Sequence, residues 1–236
     1  MKKLAISAFC PCYNDAGSIA SMVVLMDKVV RSITDDYELL VIDDGSTDTS
    51  RLILRELEAK YPKLRLIFHE KNKGYGGALQ AGFYAAKKEF IFYTDGDFQY
   101  DITELPKLAA LMRDGVDVVN GYKICRSDPM NRIVIGFLYQ HFMKALFQFK
   151  IRDVDCDFRL MRRKVFDNLN LKYKSGVVCV EMIRKMQDRG VVFDEVPVSH
   201  YHRVYGRSQF FNFRRVFQVG RDLLILWWDL VVMRRG

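Results

Sequence analysis

The chain has 236 residues, of which 50% are hydrophobic and 28% charged, a balance that excludes a disordered, collagen-like or coiled-coil protein. A chain of this length buries roughly 70 to 75% of the surface its unfolded form exposes, so it folds without help from disulfides or zinc. Its 37 Lys and Arg against 29 Asp and Glu give +8 at neutral pH, which suits a polyanionic partner: nucleic acid, anionic lipid or a phosphorylated small molecule.

Lys2 and Lys3 precede a short apolar run, but Pro11 and Asn14 interrupt it too early for a signal peptide, and the segment reads as a first strand. Short β-branched runs then predict strands over 4–9, 38–42, 64–68, 90–93 and 116–120. Between them, 18–33, 49–60, 77–87 and 103–113 repeat apolar residues at three- and four-residue intervals, as helices covering a sheet do. Ser46, Thr47 and Asp48 are cap candidates for the second helix, and Pro106 belongs in the first turn of the fourth. This alternation is that of βαβ units on a parallel sheet.

Beyond residue 125 the pattern changes. A basic, Phe-rich, helix-prone segment covers 130–149, a segment without a clear period covers 153–163, and a helix near 178–189 and a strand over 192–198 follow. Residues 210–235 are rich in aromatics and arginine. No Pro-, Gly- or Ser-rich linker divides the chain, so the expectation is one domain over 1–209 with an amphipathic C-terminal helix over 210–236. The longest apolar stretch there, 223–233, is too short to span a bilayer and is broken by Asp229. Five cysteines, Cys10, Cys12, Cys125, Cys156 and Cys179, are odd in number and form no C-x-x-C pair, which points to a reducing, cytoplasmic setting.

Ligands of open parallel sheets bind beyond the carboxyl ends of the strands. Here the first strand is followed by Pro11-Cys12-Tyr13-Asn14-Asp15, the second by Asp43-Asp44-Gly45-Ser46-Thr47-Asp48, and the fourth by Thr94-Asp95-Gly96-Asp97-Phe98-Gln99. Carboxylates gathered on one edge raise one another's pKa unless a cation sits among them. Asp95, Asp97 and Gln99 offer hard oxygen ligands on alternate residues, suited to Mg²⁺ or Mn²⁺ and not to zinc. Taken singly, each piece has a plainer use: an Asx-rich turn for Asp95-Gly96-Asp97, a helix cap for Asp44 to Ser46, and a tight turn for the glycines of 72–82.

In this order and spacing the pieces resemble the family 2 inverting glycosyltransferases. The matching residues are Pro11-x-Tyr13-Asn14, Val41-Ile42-Asp43-Asp44-Gly45-Ser46-x-Asp48, Asn72-Lys73-Gly74, Asp95-x-Asp97-x-Gln99, Phe158-Arg159, and Glu195-Val196-Pro197-Val198 with Tyr205-Gly206-Arg207-Ser208. Within the family, Asp-x-Asp-x-Gln and the late Tyr-Gly-basic-Ser element look most like the polyprenyl-phosphate sugar transferases. The resemblance implies a GT-A fold, an α/β architecture with a mainly parallel sheet flanked by helices. It also implies a nucleotide-sugar donor, GDP- or UDP-linked, and a dolichyl or undecaprenyl phosphate acceptor. Pro11, Tyr13, Asp15 and Asp44 would then surround the base and ribose, while Asp95, Gly96, Asp97 and Gln99 would surround the metal and diphosphate. Two positions depart from the pattern: Asp15 stands where glutamate is common, and Cys156-Asp157-Phe158-Arg159 replaces Ser-Gly-Phe-Arg, adding a carboxylate near the expected acceptor site.

Inverting transfer needs in-line attack at the anomeric carbon, with charge on the leaving diphosphate taken up by the metal. A hydroxyl acceptor, as in polysaccharide assembly, needs a general base, and Asp157 and Glu181 are the candidates. A phosphate monoester, with a second pKa of about 6, is already nucleophilic but must be held by cations. Lys123, Arg126, Arg132, Arg203 and Arg207 are placed to supply them; their plainer reading is solvated surface charge. A lipid-linked acceptor also needs a membrane surface, for which 210–228 and 133–149 have the aromatic and apolar content of interfacial helices, although such stripes also pack in cores and dimer interfaces. The expected site is therefore on a protein peripheral to the cytoplasmic face of a membrane. A nucleic-acid binder is disfavoured because aromatic and basic residues do not interleave along strands. A nucleotidyltransferase is disfavoured because no Gly-rich loop follows the first strand. His200 and His202 lack the further ligands a zinc site needs.

Overall fold

The structure, a computed structural model, describes the backbone of residues 4–126, 130–202 and 213–233, and the side chains of 4–124, 136–202 and 217–233. Seven strands, β1 (Ile6–Cys12), β2 (Tyr37–Asp43), β3 (Leu64–Phe68), β4 (Phe90–Thr94), β5 (Val118–Arg126), β6 (Phe158–Arg162) and β7 (Phe193–His200), form one sheet in the order β3-β2-β1-β4-β6-β5-β7. All neighbours run parallel except β6, which is antiparallel to both β4 and β5. The helices are α1 (Ile19–Ile33), α2 (Ser50–Lys60), α3 (Tyr75–Ala85), α4 (Leu105–Leu111), α5 (Met130–Phe147), α6 (Val177–Asp188) and α7 (Phe213–Trp227), the last continued by a π-helical turn, Trp228–Val232.

Strict alternation along the central strands feeds two cores. Ile6, Ala8 and Cys10 of β1, with Leu39 and Val41 of β2, pack against Met22 of α1, Leu54 of α2 and Leu105 of α4. Phe9, Leu40, Ile42, Ile91 and Tyr93 point the other way, onto Leu79 and Phe83 of α3 and Val178 and Ile183 of α6. Burial on both faces is why these strands read as near-continuous apolar runs.

The expected strands and helices are present with shifted ends. β1 runs to Cys12 because its pairing with β2 continues to the Cys12–Asp43 register. The helix expected over 103–113 is a 3-10 turn, Ile102–Glu104, followed by α4, with Pro106 in the first turn. β5 reaches Arg126 because β7 pairs with it along its length. The segment 153–163 holds a further strand, β6, beyond the expected ones. The expected boundary at 209/210 lies outside the described residues.

α5 and α7 are each apolar on two sides. Met143 and Phe147 of α5, and Leu226 of α7 with Leu230 in the turn after it, join the core shared with α3 and α6. Their outer faces expose Phe137, Leu138 and Phe142, and Phe217, Leu224, Ile225 and Trp228. Among the described residues no helix is long and apolar enough to cross a membrane.

Candidate active site

The carboxyl ends of β1, β2 and β4 and the start of β6 meet at one edge of the sheet, where Thr94 of β4 pairs with Phe158 of β6. At the β1–β2 end, the turn after Cys12 is stitched to the loop after Asp43. The Asn14 side-chain oxygen accepts from the amide of Thr47 (2.7 Å), the Asn14 amide donates to Ser46 Oγ (3.0 Å), and the Asp15 amide donates to Ser50 Oγ (3.1 Å). Asp15 folds back to accept the Tyr13 amide (3.2 Å). Pro11 and Tyr13 are half-buried along this turn. Asp44 lies beside them, but its carboxylate already holds the loop before α3: it accepts from His69 Nδ1 (2.7 Å) and from the amides of Lys73 and Gly74 (2.9 Å each). A carboxylate offers about four acceptor positions, so one remains for a ligand.

The Asp95–Gln99 loop is pressed onto β1. A Cβ at Gly96 would lie 2.3 Å from the carbonyl oxygen of Pro11, and Ser18 Oγ donates to the Gly96 carbonyl (3.3 Å). Asp97 accepts the Gln99 amide (3.1 Å), while the Gln99 side chain donates to the Tyr201 carbonyl (3.1 Å) and the Tyr201 amide returns a bond to Gln99 (2.8 Å). Asp95 accepts from the Tyr75 hydroxyl (2.6 Å). Burial, then Asp157 and then Asp97 push the Asp95 carboxyl well above the usual carboxylate range, against smaller opposing effects of Tyr75 and Lys123. A carboxylate so placed favours either a proton or a cation.

Asp157 sits one strand farther along, its side chain 14% exposed. Three donors converge on its Oδ1: the Tyr93 hydroxyl (3.0 Å), Arg159 (3.2 Å) and the Cys179 thiol (3.2 Å). Arg159 itself is fully buried and also bonds Asn120, the Val154 carbonyl and the Tyr93 hydroxyl. Among the described residues nothing donates to Asp157 Oδ2. Lys123, at the next strand, gives a hydrogen bond to the Asp155 carbonyl (2.7 Å) and lies 3.5 Å from Asp153. Burial opposes its charge, but Asp153, Cys156, Asp155 and Asp157 outweigh burial and hold the ammonium above its ordinary range. Burial is the main cause that pushes the Asp155 carboxyl up to about 6, with Lys123 opposing.

The sequence-predicted residues therefore divide. Pro11, Tyr13, Asp15, Asp44, Asp95, Gly96, Asp97, Gln99, Asp157 and Lys123 come to one edge. Glu181 does not join them: it is fully buried on α6 and accepts the amides of Lys172 (2.9 Å) and Tyr173 (3.0 Å) and the Lys185 ammonium (2.8 Å), which suits a structural anchor and not a base. Arg203 and Arg207 lie outside the described residues, as do the side chains of Arg126 and Arg132. Tyr75, Tyr93, Asp153 and Asp155 were not anticipated. For Tyr75 the available signal was its place directly after Asn72-Lys73-Gly74.

The family model for glycosyl transferase family 2 matches residues 7–169. The chain belongs to glycosyl transferase family 2. This family 2 glycosyltransferase is 28% identical, over 221 residues, to the undecaprenyl-phosphate 4-deoxy-4-formamido-L-arabinose transferase of Klebsiella pneumoniae. The match covers 93% of this chain and 66% of that protein, so the chain spans just under two thirds of its relative's length. Its fold is shared with crystal structures of glucosyl-3-phosphoglycerate synthase from Mycobacterium tuberculosis. The complex with Mn²⁺, UDP and glucosyl-3-phosphoglycerate has a TM-score of 0.73 at 18% identity, covering 96% of this chain and 79% of that one. The complex with UDP has a TM-score of 0.70 at the same identity and coverage.

The donor chemistry of the edge fits a small divalent ion. Asp95 and Asp97 are hard oxygen donors, and Asp95 is destabilised as a bare anion. Among the described residues no three His, Cys, Asp or Glu converge to hold a metal by themselves. Two carboxylates completed by substrate phosphates is the arrangement magnesium-type sites use.

Proposed function

We propose that this family 2 glycosyltransferase transfers a hexose from a UDP- or GDP-linked donor to a polyprenyl phosphate at a membrane surface. The observation that carries the acceptor is the pair of outward apolar faces on α5 and α7, where Phe217, Leu138, Phe142, Leu224 and Trp228 are between 54 and 78% exposed. The Klebsiella relative, which by its name acts on undecaprenyl phosphate, supports the same reading.

The sheet supplies a ruler. Adjacent strand ends stand about 4.8 Å apart, and in sheet order they carry Asp44, Tyr13, Asp95, Asp157 and Lys123. A nucleotide sugar laid across them puts its base and ribose at Tyr13, Asp15 and Asp44, its diphosphate at Asp95 and Asp97, its sugar over Asp157, and the acceptor toward Lys123 on β5. A divalent cation held by Asp95 and Asp97 would neutralise charge on the leaving diphosphate; Mg²⁺ and Mn²⁺ both suit these ligands. Gln99 fixes the end of the loop through Tyr201. The cations for the acceptor phosphate, whose oxygen attacks without needing a base, would come from Lys123 and from Arg126, Arg132, Arg203 and Arg207, whose side chains lie outside the described residues.

The outer faces of α5 and α7 rest on the bilayer, with Arg221 among the nearby basic residues. We place the enzyme on the cytoplasmic face, where nucleotide sugars are made and where the free thiols of Cys10, Cys12, Cys156 and Cys179 persist. The open Oδ2 of Asp157 favours a second reading, a hydroxyl acceptor with Asp157 as base. Asp157→Asn separates the two. It keeps the atom that binds Tyr93 and Arg159 but removes basicity, so transfer to a phosphate acceptor should fall less than tenfold, whereas base-dependent transfer should fall by roughly 10²- to 10⁴-fold.

A further inference from the structure

The first turn of α3 is fixed from two sides. On one, Asp44 holds the amides of Lys73 and Gly74. On the other, the Gly76 amide donates to the Lys174 carbonyl (2.8 Å). Gly74 has φ +84°, and a Cβ there would lie 2.5 Å from that same carbonyl oxygen. Tyr75 stands between these anchors, and its hydroxyl reaches Asp95 Oδ1 at 2.6 Å. Among the described residues this is the one hydrogen bond the Asp95 carboxylate accepts.

We propose that Tyr75 is a positioning residue of the cation site: its hydrogen bond takes one acceptor position of Asp95 Oδ1 and fixes the carboxylate's orientation, leaving Oδ2 the more open oxygen, which would disfavour bidentate coordination and so favour a small octahedral ion over calcium. Calcium takes six to eight ligands and often both oxygens of a carboxylate, whereas Mg²⁺ demands near-octahedral geometry. The inference rests on the reading of Asp95 and Asp97 as the carboxylates that hold the cation.

The test is a pair of titrations, Mn²⁺ followed by electron paramagnetic resonance and Ca²⁺ by calorimetry, each with saturating UDP and separately with GDP. Wild type, Tyr75→Phe, Asp95→Asn and Tyr84→Phe are compared. Tyr84 is on the same helix, but its hydroxyl binds the Leu169 carbonyl (2.5 Å), away from the carboxylates. Tyr75→Phe is expected to weaken Mn²⁺ binding about five- to tenfold and to lower the Mn²⁺/Ca²⁺ affinity ratio about tenfold, while Tyr84→Phe leaves both unchanged. A ratio in Tyr75→Phe within twofold of wild type, or an equal loss in Tyr84→Phe, overturns the role of Tyr75 alone. Wild-type affinity in Asp95→Asn, or no Mn²⁺ binding by the wild type, overturns the cation site and Tyr75's role with it. Tyr75→Met fills similar space without a hydroxyl and reads the same two constants if the phenylalanine variant does not fold.

Discussion

Replacing Gly96 with alanine perturbs the Asp95–Asp97 loop without removing any chemical group. The new Cβ would stand 2.3 Å from the Pro11 carbonyl oxygen, which is backbone near the end of β1, held in register with β2, and cannot swing aside. Ordinary contact begins at 3.4 Å, so the loop must retreat by about 1.1 Å. Asp95 and Asp97 flank this residue and move with it. A displacement of about 1 Å at a reacting centre costs on the order of 10²-fold in rate, while the overpacking itself costs about 1–3 kcal/mol of stability. The assay is kcat/KM for sugar transfer beside a thermal melt. A roughly hundredfold fall in kcat/KM in a protein that still melts cooperatively is the expected result. Wild-type kcat/KM in Gly96→Ala would refute the claim that close contact with β1 sets the positions of these carboxylates.

Glu181→Ala leaves the buried Lys185 ammonium with only the Asn170 carbonyl and releases the Lys172 and Tyr173 amides, which should cost about 3–5 kcal/mol; a melt shows this, while the folded fraction at low temperature keeps near-normal kcat. Asp155→Asn tests the buried carboxyl. Its folded pKa of about 6 lies above the unfolded value, so the folded state binds the extra proton and wild-type stability falls as pH rises from about 4 to 6. The variant should therefore be more stable than wild type at pH 7–8, by about 3 kcal/mol for a carboxyl raised from its ordinary pKa to about 6, with the gap closing near pH 4; an equal gap at both pH values contradicts this. Leu224→Glu with Trp228→Glu should leave the melt within a degree or two, because both side chains are more than half exposed, yet reduce co-flotation with anionic vesicles at least tenfold.

The sheet was legible because period and burial agree along it. The runs of β1 to β4 are apolar on both faces, and the helices between them show one apolar stripe each. β6 was hidden by its charge: five residues long, it contains Arg159, whose burial is made tolerable by Asn120 and Tyr93 from neighbouring strands together with Asp157 and the Val154 carbonyl just before it in the chain. Asp95 and Asp97 were legible because they follow a recognised strand, β4, whereas Asp157 stood out only through the family resemblance, since the strand it precedes carries no such signal. Glu181 was misread for a different reason. A carboxylate on a helix takes its role from what reaches it, and the Lys172 and Tyr173 amides arrive by a loop path that no local pattern encodes. α3 begins at Tyr75, two residues before the expected 77, because the positive φ of Gly74 ends the preceding turn there. That offset is what placed Tyr75 over Asp95 unseen.

The most direct measurement of the transfer itself uses purified protein with Mn²⁺, radiolabelled UDP- and GDP-sugars and polyprenyl phosphate in detergent or vesicles, counting label in the organic phase. Label is expected there with one donor, absent when free polyprenol replaces the phosphate and lost in Asp97→Ala. An empty organic phase while label enters a carbohydrate acceptor would contradict the assignment of a lipid phosphate as acceptor.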